Sequence, residues 1–270
     1  MLEEIHLPSE VTDAVDLLSS RKSIGVLAGG TLVMGEYNTR PSDLLEMVSL
    51  SQMDDAIRGI QVDGDTITIG AATPLCDLEA DDALSFLHSA LESIGSPTLR
   101  NMATVGGNFF AQNGYGDLAT CFIALSATCT LAGANGERTV DAENVVQGAK
   151  PDELLVSIAF KKPAPGSWRY RKAMRRKANA VSIATVAALI ELDAGVIKSA
   201  RVAIGGASSV PARAPSVEKA LLGQPLDLAS ATSAGEAAKK DVHTYSDAHA
   251  SAWYRERVLP VHVRRTLIGR

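Results

Sequence analysis

Thr98-Leu99-Arg100-Asn101-Met102-Ala103-Thr104-Val105-Gly106-Gly107-Asn108, followed by Asp117, is the stretch that decides how this chain is read. A hydroxyl, a glycine pair and an amide stand together in it. Glycine lets a backbone turn sharply and approach a ligand closely. Consecutive N–H groups with no side chain in the way form a concave anion site. The same composition occurs at Leu27-Ala28-Gly29-Gly30-Thr31, at the end of the short apolar run Ser23-Ile24-Gly25-Val26. Read alone, each is a tight turn. Together they suit the two phosphates of one dinucleotide, gripped from opposite sides. The first loop lacks the third glycine of a Rossmann fingerprint, and no Gly-Lys-Ser/Thr follows it as in a P-loop. Asp117 has two compatible readings: acceptor for a ribose hydroxyl or adenine amine, and N-cap of the helix that follows.

Around these loops the chain reads as ordinary globular protein. Its 270 residues are 46% hydrophobic and 21% charged, which suits one large or several smaller domains. A net charge of −5, from 26 basic and 31 acidic residues, argues against a nucleic-acid partner. No apolar run reaches the roughly 18 residues of a membrane span. The acidic N-terminus lacks a signal-peptide core, so the cytoplasm is the expected compartment. Cys76, Cys121 and Cys129 form no C-x-x-C pair, so no iron–sulfur or zinc site is expected here. The histidines show no metal-ligand spacing, and no G-x-S-x-G or Cys–His nucleophile stands out. We therefore expect no catalytic side chains and no metal in this chain. Redox work falls to a bound cofactor.

Periodicity and turn signals give the elements. Residues 9–18 read as an amphipathic helix opened by a Ser9-Glu10 capping signal. Strands follow at 23–28 and 43–48, then a hairpin of 57–60 and 66–69 about Asp63-Gly64-Asp65. Helices are expected from 75, over 84–94 and over 117–127, with the second glycine pair as a loop between the last two. Strands at 129–132, 136–140 and 154–160 precede a boundary at Lys162-Pro163-Ala164-Pro165-Gly166-Ser167. Beyond it lie strands at 168–174, 180–192 and 199–204, then helices at 217–222, at 229–239 and from about 246 toward 267. Arg169, Arg171, Lys172, Arg175, Arg176 and Lys177 make the one dense basic cluster. It reads as a solvated face, a phosphate contact or a dock for an acidic partner.

The motifs resemble the FAD-binding medium subunit of the molybdenum hydroxylases, the family of carbon monoxide and xanthine dehydrogenases. The resemblance covers nearly the whole chain. Ala28-Gly29-Gly30-Thr31 is similar to its first FAD loop, and 98–108 to its IRNxATIGGN signature. Gly70-Ala71-Ala72-Thr73 is similar to the IGAxT strand end. Asp117-Leu118-Ala119 with Leu125-Ser126-Ala127 follows the D…LxAL.A pattern. Val202-Ala203-Ile204-Gly205-Gly206, Pro211-Ala212-Arg213-Ala214 and Ala252-Trp253-Tyr254-Arg255 resemble the C-terminal domain.

The resemblance implies an α+β fold. It consists of a two-subdomain FAD-binding unit of the vanillyl-alcohol-oxidase/PCMH type (1–58 and 59–162) and a C-terminal α+β domain with an antiparallel sheet and helices (163–270). It also implies roles. Leu27, Ala28, Gly29, Gly30, Thr31, Leu32, Val33 and Met34 would wrap the FAD diphosphate. Thr104, Val105, Gly106, Gly107 and Asn108 would hold it from the other side. Asp117 would bind the adenosine end, and Ile94 and Leu155 would pack on flavin or adenine. Lys172 or Arg171 would lie near the flavin ring, and Phe110 would govern access to it. The expected partners are a large subunit with molybdopterin cytosine dinucleotide and a small subunit with two [2Fe–2S] clusters, as a dimer of heterotrimers. Electrons would pass from the clusters to FAD and on to an external acceptor. The alternative is a standalone FAD-dependent oxidoreductase of the same fold. Two departures from the pattern, Gly114 in place of proline and Leu32-Val33 in place of aspartate and a large apolar residue, leave the backbone donors intact.

Overall fold

A computed structural model describes residues 2–39, 45–53, 57–111, 116–148, 150–177 and 179–269. Its strands form three sheets. A small parallel sheet has the order β1-β3-β2, from β1 (Glu4–His6), β2 (Ile24–Leu27) and β3 (Glu46–Ser49). The helix Val11–Ser20 links β1 to β2 and turns Ala14, Val15 and Leu18 inward, at the spacing of one helical face. It starts at Val11, and Glu10 at its cap makes no side-chain cap bond, so the capping signal read at Ser9-Glu10 is not used.

An antiparallel sheet of order β4-β5-β8-β6-β7 follows. It comprises β4 (Ile60–Asp63), β5 (Thr66–Gly70), β6 (Thr128–Gly133), β7 (Gly136–Asp141) and β8 (Leu154–Lys161). The first hairpin differs from expectation. Its turn is only Gly64-Asp65, with Gly64 at positive φ, so β4 runs up to Asp63 rather than ending at Ile60. Ile57 instead drops into the core beneath the parallel sheet. That core includes Ala132 and Leu154 of the antiparallel sheet, so the two sheets share buried apolar surface.

The third sheet, β12-β11-β10-β9, is antiparallel. It is built from β9 (Trp168–Met174), β10 (Ser182–Asp193), β11 (Val196–Gly205) and β12 (Ala212–Arg213). The helices Pro215–Leu221, Leu228–Ala237 and Ala252–Ile268 cover it, and their apolar faces make a separate core. The last helix starts at Ala252, capped by Ser251, not near Ser246. No helix among the described residues is long and apolar enough to cross a membrane. The α+β class is as expected.

Candidate functional site

A cleft of about 560 Å³ lies where the three sheets meet. That is within the usual range for small-molecule sites, roughly 300–1,000 Å³. One wall is the turn after β2. Ala28, Gly29, Gly30, Thr31, Leu32 and Val33 all line the cleft. Gly30 has φ +69°, a conformation that favours glycine. Gly29 has another reason: a Cβ there would stand 1.8 Å from the Met102 carbonyl oxygen. The turn is therefore pressed backbone to backbone against the opposite wall.

That opposite wall is Ala103 to Asn108, and it is not a loop. Thr104 caps a short helix, Val105–Phe109, and its hydroxyl accepts the Gly107 N–H at 3.1 Å. Three more amides after Thr104 are also taken. Val105 N donates to Thr73 O (3.0 Å), Gly106 N to Ala71 O (2.7 Å) and Asn108 N to Thr104 O (2.9 Å). The expectation of an open amide nest on this side fails, because the chain folds those donors onto itself. In the first turn the amides of Gly29 to Val33 have no hydrogen-bond partner among the described residues. The amide-rich face is thus the Gly29–Gly30 side alone. The second segment offers shape, the Thr104 hydroxyl and the Asn108 amide.

Of the other residues expected at the site, Ile94, Gly106, Gly107, Phe110, Leu155 and Lys172 line the cleft. Phe110 is 42% exposed and stands edge-on to buried Phe109, with ring centroids 5.1 Å apart. Four do not line it. Leu27 and Met34 pack behind Gly30, and Val105 is buried in the main core. The fourth, Asp117, is 1% exposed. Its carboxylate accepts Lys172 Nζ at 2.6 Å and the Thr185 hydroxyl at 2.6 Å. Asp117 stands at the N-cap of the helix Leu118–Ala124, as read from the sequence, but its side chain is turned to Lys172 and Thr185 and does not line the cleft. It makes no side-chain cap bond. The Leu118 N–H goes instead to Asn108 Oδ1 at 2.9 Å. Burial pushes the Asp117 carboxyl up, and Lys172, Thr185 and Tyr170 draw it back down. The same burial raises the Tyr170 phenol well above its usual value.

Lys172 also donates to Ser93 O at 3.0 Å, so it joins the helical segment before the signature stretch to β9. The third wall went unread. Asn179, Ala180 and Val181 close the cleft from the segment before β10. No motif marks them, since only the pairing of β9 with β10 brings them there. Glu153 also lines the cleft, where both its oxygens accept Arg138, at 2.7 Å each.

Residues 2–162 match the family model described as FAD binding domain in molybdopterin dehydrogenase. The chain belongs to that family. Residues 168–268 match the carbon monoxide dehydrogenase flavoprotein C-terminal domain. The chain is 27% identical to the nicotine 6-hydroxylase medium subunit of Paenarthrobacter nicotinovorans, over 97% of this chain and 94% of that one. It is 30% identical to the xanthine dehydrogenase FAD-binding subunit of Escherichia coli O157:H7, over 97% and 92%. Among solved structures it superposes on carbon monoxide dehydrogenase from Hydrogenophaga pseudoflava with TM-score 0.93 and 28% identity, over 99% and 96% of the two chains. It is thus an FAD-binding medium subunit of the molybdenum-hydroxylase type, an oxidoreductase subunit.

Proposed function

We propose that this chain holds FAD in the cleft and is the electron-outlet subunit of a heterotrimeric molybdenum hydroxylase. The observation that carries the reading is the turn at Gly29–Gly30. It supplies unpaired amides, and its glycines are required, Gly29 by the close approach of the opposite wall and Gly30 by its positive φ. The donor set fits the cofactor. Amides of Gly29 to Val33 suit a diphosphate, Ile94 and Leu155 suit flat aromatic rings, and the Lys172 ammonium suits an anionic or carbonyl oxygen. Bound flavin supplies the interconversion of one- and two-electron transfer. The protein's residues orient it, exclude water and hold positive charge beside it. Phe110, at the mouth, sets access.

In this reading a small subunit with two [2Fe–2S] clusters delivers electrons here. A large subunit with molybdopterin cytosine dinucleotide hydroxylates the substrate, and the complex is a dimer of heterotrimers. The relatives support the assembly through their names: "medium" chains of dehydrogenases for carbon monoxide and glyceraldehyde, and of a nicotine hydroxylase. Such diverse names at similar identity support a substrate choice made by the large subunit rather than by this chain. The test is purification of the tagged full chain from its native cell, with an absorbance spectrum and mass identification of co-purifying chains. Flavin together with a molybdenum subunit and an iron–sulfur subunit is the expected result. Flavin alone, with turnover of a small donor by the isolated chain, overturns it in favour of a standalone flavoenzyme.

A further inference from the structure

Asp117 is held harder than a surface carboxylate needs to be, and it does not touch the cleft. One oxygen takes Lys172 Nζ and the other takes Thr185 Oγ1, both at 2.6 Å. Since the Thr185 hydrogen is spent on Asp117, the 2.6 Å contact between Ser182 and Thr185 has Ser182 as donor. Ser182 lies close against Gly206, which has φ +68°. A Cβ on Gly206 would stand 2.5 Å from the Ser182 hydroxyl. The Gly205-Gly206 pair of the sequence thus ends a chain of contacts that runs through Ser182 and Thr185 to Asp117.

At the other end stands Lys172, its side chain 4% exposed and forming part of the cleft wall. An ammonium has three N–H donors. Two go to Asp117 and the Ser93 carbonyl, which leaves one for the cleft. We infer that Asp117 is a positioning residue: held by Thr185 and Ser182, it fixes the Lys172 ammonium and directs its remaining donor toward an anionic or carbonyl oxygen of the bound cofactor. This rests on the proposed FAD site, and it assigns Asp117 a role through Lys172 in place of a direct contact with the adenosine end.

The test is FAD affinity of the full chain, read by quenching of flavin fluorescence. A hydrogen bond from a charged donor is worth roughly tenfold to a hundredfold in affinity. Asp117→Asn and Lys172→Met should each weaken FAD binding by about that factor. The double variant should be no weaker than Lys172→Met alone, because both changes remove one interaction. Thr185→Val should weaken binding, and Thr185→Ser, which keeps the hydroxyl, should restore it. A merely structural role would not produce that non-additivity or that rescue. If Asp117→Asn fails to fold, the double variant, which removes both charges, and the Thr185 pair still decide the matter. Parental affinity in Asp117→Asn, or losses that multiply in the double variant, overturns the inference alone. Failure of the parent chain to bind FAD overturns the proposed site with it.

Discussion

Arg255 shows how a single residue can fix a domain. Its side chain has no exposed surface, yet it carries a full charge. The guanidinium donates to the carbonyls of Ile183 (3.2 Å), Tyr245 (2.8 Å) and Ala250 (2.9 Å) and to Asp247 Oδ2 (2.8 Å). It also lies 4.4 Å from the centroid of the Tyr245 ring. It therefore ties the start of the last helix, the segment before it and β10 into one knot. Burial pushes the Asp247 carboxyl up, but Arg255 and the amides of Ala250 and His249 outweigh it and hold the group well below the usual carboxylate range. A carboxyl lowered in this way contributes stability above its unfolded value of 3.8, and that contribution is lost on acidification below it. Arg255→Met should therefore cost about 3 kcal/mol at neutral pH, the scale for breaking a buried ion pair. It should also flatten the loss of stability below about pH 4. Urea midpoints across pH measure both. The sequence marked this arginine only by resemblance. Its carbonyl partners come from distant segments, and no local pattern reveals them.

At the scale of elements, strands and helices were legible wherever period and turn chemistry agreed. β9 matched its expected bounds, and the β10–β11 hairpin turned at Ala194-Gly195 as the Asp193-Ala194-Gly195 signal suggested. The misreadings share a cause. The glycine pair at Gly106–Gly107 looked like a loop because glycine is a poor helix former, but the Thr104 cap and the Ala71 and Thr73 carbonyls just after β5 turn it into a helix start. The Gly29–Gly30 turn was legible as a site, although the reason for Gly29 is tertiary. That reason gives a sharp test. Gly29→Ala drives a Cβ into the Met102 carbonyl and must move one wall of the cleft. It should weaken FAD binding more than tenfold. Gly35→Ala, in the following helix Val33–Thr39, meets nothing within 4 Å and should leave binding unchanged. Titration of both variants with FAD, beside their thermal melts, separates a displaced wall from general destabilisation.

At the scale of the whole molecule, the cleft is a three-sided object. The two glycine segments belong to the part of the chain that matches the FAD-binding family model, while Lys172 and Asn179 to Val181 belong to the C-terminal part. The sequence could show the first two walls because each carries a motif. Of the third it marked Lys172 by resemblance alone; Asn179, Ala180 and Val181, placed there by the pairing of β9 with β10, carry no motif. The basic cluster gains meaning from that wall. Arg175 and Arg176 sit beside Asn179, Ala180 and Val181 around a second hollow, and Arg176 donates to the Asn179 carbonyl at 2.7 Å. Positive charge is thus concentrated next to the cleft on a chain whose net charge is −5. Such a patch speeds docking of an acidic surface and weakens with salt. An iron–sulfur subunit must come close to the flavin, so this edge is a suitable place for it to dock. Charge reversal at Arg175 and Arg176 should therefore lower the yield of co-purified complex, most clearly at low ionic strength, where such charges are least screened. FAD content per chain should fall less, because Lys172 and the glycine turn stay in place. Unchanged complex yield across salt would move the docking surface away from this edge.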